Sequence, residues 1–233
     1  MTTFLVLAFC LLIVAQLLHL WLKNKKLQRE SYIRQFAFPR GVFDKVIRHH
    51  PQLSQKEMEL VSHGLRQFFL AYQKSGHQFV SMPSQIADDL WHEFILYTQH
   101  YQDFCRQAFG RFLHHTPAVV LQKNQQGNAG LRRCWRYVCK EENINPRSPS
   151  RLPLLFALDS KLNIPNGFRY VPDCSGVRRE DASGSGTVYC GGSFSDSSID
   201  GNTDGLSDSG NGGGDASADG GGDGGGGCGG GGD

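Results

Sequence analysis

Between Asp88 and Pro117 the chain concentrates the side chains that could do chemistry: Asp88-Asp89-Leu90-Trp91-His92, Tyr101, Phe104-Cys105, Gly110 and Leu113-His114-His115-Thr116-Pro117. Carboxylate, imidazole, indole and thiol are costly to place in an apolar helical segment, so their clustering points to a metal site or a buried polar network. On a helix, Asp88 and His92 stand at i and i+4 and project from one face, close enough for the acid to orient the imidazole or for both to hold one cation. His114 or His115 follows the break at Gly110 and supplies a third candidate ligand. Two histidines and an acid with an open position suit Zn²⁺ or Fe²⁺, although the spacing is not that of H-E-x-x-H or another diagnostic motif. Glu93 points about 100° around the helix from His92 and is a poor general base. The structural alternative is equally concrete. Asp88 would be a first-turn acid favoured by the helix dipole and paired with His92, Trp91, Phe94 and Ile95 would be core, and His114-His115 a solvated helix-end pair.

These residues need helices to position them, and the sequence patterning provides helices. Ser54-Gln55-Lys56-Glu57 is a capping box, followed at helical spacing by Met58, Val61, Leu65, Phe68, Phe69 and Tyr72, with Gly76 as terminator. A second helix is expected to open near Met82-Pro83-Ser84 and to run unbroken to Gly110, about 26 residues at period 3.6. Thr116-Pro117 resembles an N-cap and N1 proline opening a short helix through Leu121 that ends near Gly127. Leu131, Trp135 and Val138 mark another helix, and Leu152 to Leu162 a weaker one. No stretch alternates at period two, so the expectation is a small all-α domain over residues 40–170 without a sheet.

Both ends differ from this domain. Phe4 to Leu22 is apolar except for Gln16 and His19 and spans roughly 28 Å as a helix, enough for a hydrocarbon core. A cleaved signal peptide would have a basic n-region and a small-residue cleavage site, whereas here Met1-Thr2-Thr3 is uncharged and Lys23, Lys25, Lys26 and Arg29 follow the run. The positive-inside rule then gives an uncleaved single-pass anchor over residues 4–22, N-terminus out, with a basic juxtamembrane linker at 23–39 and the main domain in the cytoplasm of a bacterial inner-membrane protein. From Cys190 to Asp233 there are 19 glycines, eight aspartates and no basic residue. Such a segment cannot offset its chain entropy by burial and is expected to be a disordered acidic tail, joined through a linker at 171–189.

Because every Lys and Arg precedes the tail, residues 1–189 carry 24 basic against 14 acidic side chains, +10, and the tail carries −8. A basic body at a membrane attracts anionic lipid, which makes membrane lipid the expected partner beside a possible protein one. No zinc-finger, helix-turn-helix or RNP signature is present, and nucleic acid is not an expected partner. The tail aspartates recur every four residues, which is neither a nine-residue calcium repeat nor an EF-hand loop. Seven cysteines at irregular spacing offer no disulfide framework, and Cys134 and Cys139 read as half-buried helix thiols.

The central run, with Ala87, Phe94-Ile95-Leu96, Thr98 and Phe109 added, resembles the bacterial glycine-rich domain-containing proteins, related to the plant glycine-rich domain protein family. Its pattern is an Asp-x-x-Trp-His helix followed by a Tyr, a Gly and a His. Asp88, Trp91, His92, Tyr101, Gly110 and His114 fall on that pattern, and the Gly-rich, Cys-containing end from Gly220 is similar as well; the likeness covers about residues 40–190 plus the tail. The resemblance implies no defined activity. Plant members commonly place a second His two residues after the first, where this chain has Phe94, so one candidate ligand is missing and His115 is the residue that would replace it. The expected function is a membrane-anchored binding or scaffolding module of unassigned role, with a metal-dependent hydrolytic enzyme built on Asp88, His92 and His114 or His115 as the alternative.

The topology is open to direct test. A cytoplasm-active reporter fused after Asp233 is expected to work and a periplasm-active one to fail; the opposite pattern, or cleavage near residue 22, would overturn the N-out assignment.

Overall fold

The computed structural model describes residues 1–115, 126–172, 188–191 and 194. The chain is predominantly helical, in the order α1 Thr2–Gln35, α2 Arg40–His49, α3 Gln55–Lys74, α4 Gln85–Leu96, α5 Thr98–Ala108, α6 Gln126–Glu141 and α7 Leu154–Lys161, followed by β1 Arg169–Val171 and β2 Val188–Cys190. The helix expected from Thr116 to Leu121 and the tail from residue 195 lie outside the described residues.

Helix α1 does two jobs. Its first part is apolar and exposed, with Phe4 78% and Trp21 56% accessible, and it is long and apolar enough to cross a membrane. Its last turns belong to the domain. Ile33 is fully buried, and Arg34 donates from Nε and Nη2 to the two oxygens of Glu141 at 2.9 and 3.1 Å. Lys74 Nζ reaches Glu141 at 2.5 Å and Glu30 at 3.8 Å, so α1, α3 and α6 are tied at one point. Burial pushes the Glu141 carboxyl up, but the hydrogen bonds from Lys74 and Arg34 outweigh it and leave the group below its ordinary value. The segment 23–39, expected as a linker, is therefore corrected: it is helical through Gln35, because Tyr32, Ile33 and Phe36 have a core to pack on.

Helix α3 is the central element and packs against α1, α4, α6 and α7. It starts at the capping box read from sequence, where Glu57 N donates to Ser54 Oγ at 3.3 Å and Ser54 N to Glu57 Oε2 at 2.7 Å. It ends in a turn with Gly76 at φ 74°, which glycine adopts without strain. The single helix expected from Ser84 to Gly110 is instead two, broken at Tyr97 with φ −82° and ψ 60°. Phe94 and Phe104 would stand about 15 Å apart along a straight helix, yet their ring centroids are 5.6 Å apart. Both pack on Phe36, at 5.4 and 4.5 Å. Burying these three rings together requires the break.

Helix α6 buries Cys134 and Cys139 completely rather than by half; both are free thiols, and burial pushes Cys139 up to about 12. The strands pair in parallel with Tyr170 opposite Tyr189, a contact too short to leave a period-two signature. Beyond them Phe194 is 4% exposed and packs on Trp135 at 5.5 Å, Phe156 at 6.0 Å and Tyr170 at 6.1 Å. The described core thus extends past residue 170 to Phe194, while residues 173–187 of the segment expected as linker lie outside the described residues. The reason is that Phe194 covers the Trp135 and Phe156 rings.

This boundary predicts opposite results for a truncation and a substitution. Removing residues 196–233 should leave the melting transition of the detergent-solubilised protein unchanged, whereas Phe194→Ala should cost about 3 kcal/mol, in the range for losing a buried aromatic side chain. A Phe194→Ala transition within about 0.5 kcal/mol of wild type would show that Phe194 is not core.

Candidate metal site and adjoining cleft

The site is assembled on α4, and α4 is held by a carboxylate from elsewhere in the chain. Asp159 of α7 is 3% exposed and accepts from Ser84 Oγ at 2.7 Å, Gln85 N at 2.7 Å and Ile86 N at 3.3 Å, all at the start of α4, and from Phe168 N at 2.8 Å. Ser84 in turn accepts from Ala87 N as the N-cap. A carboxylate among unsatisfied backbone N–H groups at a helix start is favoured both by charge-assisted hydrogen bonding and by the helix dipole. Asp159 was not singled out from sequence; the only signal was one acid within the apolar run Leu154 to Leu162.

On α4, Ile86, Ala87, Leu90, Trp91 and Phe94 face the core. Asp88 and His92 lie at the edge of that stripe, with Asp88 Oδ2 and His92 Nδ1 3.7 Å apart. The third member arrives through the motif residues. Trp91 Nε1 donates to the Tyr101 hydroxyl at 3.2 Å, and the hydroxyl donates to the Leu113 carbonyl at 2.5 Å. Tyr101 is fully buried; burial, reinforced by the neighbouring Cys105, holds its phenol protonated far above the ordinary range. Cys105 is likewise pushed up by burial, which leaves it an inert thiol. Gly110, at φ 72°, turns the chain directly against the Arg29 guanidinium, where a Cβ would collide. With Leu113 pinned and the chain turned, His115 Nε2 meets Asp88 Oδ1 at 2.8 Å and its ring lies 4.6 Å from Trp91 and 4.2 Å from His92.

Asp88, His92 and His115 therefore converge, with one ligand atom from each within 4.8 Å of the others. Ligands at the Zn–N and Zn–O distances of roughly 2.1 Å stand about 3.4 Å apart in a tetrahedron. Closure onto a cation needs only small side-chain rotations, with the Asp88–His115 hydrogen bond exchanged for coordination. His114 is not part of the cluster. It is exposed and lies against the Phe112 ring at 4.8 Å. Of the two histidines left open by sequence, the structure brings His115 to Asp88.

The remaining acids on α4 are engaged: Asp89 with His50 at 2.8 Å and Gln85 at 2.9 Å, and Glu93 with Lys45 at 3.5 Å. Phe94, two residues after His92, is fully buried against Phe36, Phe38 and Tyr101. It is a core residue with no access to the cluster. Beside the cluster opens a cavity of about 70 Å³ walled by Tyr72, Phe79, Met82, Asp88, Trp91 and His115. It has room for several waters or a small polar group.

The family model described as UCP032817-like matches residues 28–194, well over half of the chain. The chain belongs to the UCP032817-like family. The matched span begins inside α1, just before its domain-packing turns, and ends at Phe194, the last described core residue. This UCP032817-like unit therefore contains the site, the cleft and both strands. No curated protein matches the chain, and no solved structure does.

The tyrosine at the centre of the motif gives a direct test. Tyr101→Phe deletes a buried hydroxyl and leaves the Trp91 indole N–H and the Leu113 carbonyl without it, which should cost about 1–3 kcal/mol in denaturant unfolding. A change below about 0.3 kcal/mol would show that the Trp91–Tyr101–Leu113 chain does not hold the His115 segment in place.

Proposed function

We propose that this protein is a single-pass membrane protein whose helical domain is a binding module, with a divalent-cation site formed by Asp88, His92 and His115 as its recognition centre. The observation that carries this is the convergence of a carboxylate and two imidazoles from separate segments beside an open cleft. Two histidines and one carboxylate with free coordination positions are the donor set of Fe²⁺ and Zn²⁺ sites that accept an exogenous ligand. The Asp-x-x-Trp-His resemblance to the glycine-rich domain proteins supports the same view: Trp91, Tyr101 and Gly110 act together to deliver a histidine to Asp88. The basic cluster from Lys23, directly after the apolar run, supports N-out insertion; on this reading the membrane is a bacterial inner membrane and the partners are lipid and a protein. The acidic Gly-rich segment would then be a solvated spacer.

Metal-dependent hydrolysis is the second candidate, favoured by the open side of the cluster, where a bound water could be activated. Binding takes precedence because Asp89 and Glu93, the acids nearest the cluster on α4, are committed to His50 and Gln85 and to Lys45.

The test uses chelator-treated full-length protein titrated with Zn²⁺, Fe²⁺ under anaerobic conditions, and Mn²⁺, following bound metal and melting temperature together. One equivalent of Zn²⁺ or Fe²⁺ should bind and raise stability, by about 2.7 kcal/mol at a hundredfold excess over Kd. His92→Ala should abolish binding while His114→Ala leaves it intact. Absence of stoichiometric binding to wild type would end both proposals.

A further inference from the structure

Helix α1 does not stop at the membrane boundary. It continues unbroken from Leu22 to Gln35, so the domain hangs on a stiff rod and the contacts along that rod set which end of the domain faces the bilayer. Moving along α1 away from the apolar run, Arg29 lies against Gly110, Tyr32 packs on Phe104 at 6.0 Å, and Phe36 packs on Phe104 at 4.5 Å and Phe94 at 5.4 Å. Helix α5 is thus antiparallel to α1, with its C-terminal loop toward the membrane. Helix α3 runs the same way: Arg66 donates to the Phe36 carbonyl at 2.8 Å, whereas Lys74, two turns later, meets Glu30 at 3.8 Å.

Among the described residues, the membrane-ward end of the domain therefore includes the turn after α3, residues 75–79, and the loop after α5, residues 109–115. These present Arg111, exposed, with Phe112 at 45% and Phe79 at 37% exposure. Arg29 stands seven residues beyond Leu22, about 10 Å along the helix axis, and a headgroup layer is about 5–8 Å deep. Side chains as long as Arg and Phe at that level reach it. The charge is suited to the purpose. Lys23, Lys25 and Lys26 precede Arg29 on α1, and His77 is pushed down by burial and by the guanidiniums of Arg111 and Arg29. Glu30 and Glu141, on the same side of the domain, are occupied by Lys74 and Arg34.

We infer that this end of the domain docks on the anionic phospholipid surface of the leaflet that α1 leaves, with Arg29, Arg111 and Phe112 as the contacts. Basic side chains gain from the negative surface potential, and an aromatic ring settles at the headgroup boundary. Phe79 and His114 line the cleft beside Asp88 and His115 and belong to these same two loops. Docking places the mouth of the cleft at headgroup level, so what it accepts is presented by the membrane surface. The inference rests on the anchor proposed above.

The experiment separates the two. Full-length protein is assembled into nanodiscs of phosphatidylglycerol or of phosphatidylcholine, and amide hydrogen exchange is followed at residues 111–114, with α5 residues 104–108 as the folding control. Failure of the chain to insert in either lipid would overturn the anchor. With the chain inserted, exchange at 111–114 should be slower by about fivefold or more in phosphatidylglycerol than in phosphatidylcholine. Arg111→Ser/Phe112→Ser should remove the difference while the α5 amides stay protected. Equal exchange of wild type in both lipids would overturn docking with the anchor intact, and a lipid difference that survives in the double variant would overturn the assigned contacts.

Discussion

A single buried carboxylate sets the geometry on which the rest depends. Taking Asp159 out of water costs several kcal/mol, and that cost is recovered only if every lone pair finds a donor and nearby charge is favourable. The start of α4 meets both conditions, with the Ser84 hydroxyl and two backbone N–H groups, and the Phe168 N–H completes the set. The constraint propagates in both directions. Gly167 is confined to glycine, because its Cβ would stand 2.6 Å from that of Asp159, and β1 follows immediately with Tyr170 in the second aromatic cluster. On the other side, the first turn of α4 places Asp88, and one turn later His92.

A comparable polar device anchors the opposite end of α7. Glu142 accepts from the backbone N–H of Leu154 at 2.6 Å and from Gln67 at 2.8 Å, and Gln67 accepts from Leu155 N at 3.1 Å. Helix α7 is thus held at its N-terminus by α3 and by the end of α6, while its own Asp159 holds α4. Only eight residues long, it is too short to be stable alone, and it owes its existence to these contacts and to the burial of Leu155, Phe156 and Leu158. Together with the Glu141 cluster that binds α1, these connections make α1, the central helix and the site one mechanical unit. On the proposal that α1 is a membrane anchor, the cleft would have a fixed orientation to the bilayer rather than a tethered one. The proposed docking of two short loops on lipid would then require no ordering of a linker.

Much of the local structure was legible in the sequence. The apolar run, the capping box at Ser54, the amphipathic α3 and the i, i+4 pair Asp88 and His92 all follow from residue spacing and intrinsic backbone chemistry, which act over a few residues. The motif residues were visible as a group too, because indole, phenol, glycine and imidazole are conspicuous in a helical segment. Where local pattern met a tertiary demand, the pattern lost. The helical periodicity continues straight through Tyr97, but Phe94 and Phe104 cannot share Phe36 unless the helix breaks. Residues 23–35 look like solvated linker, but Ile33 finds a core. Phe194 looks like the edge of a tail, but Trp135 and Phe156 need it.

The sequence by itself determined that the chain is helical, that it carries an apolar N-terminal span, and that Asp88 and His92 share a face, since each depends on neighbours close along the chain. The tertiary structure alone decided that His115 rather than His114 meets Asp88, that Phe94 is core, and that Asp159 caps α4. Each of these joins residues 20 or more positions apart or depends on which of two adjacent side chains turns inward. Such choices are made by the summed packing of distant elements, and no spacing rule records them.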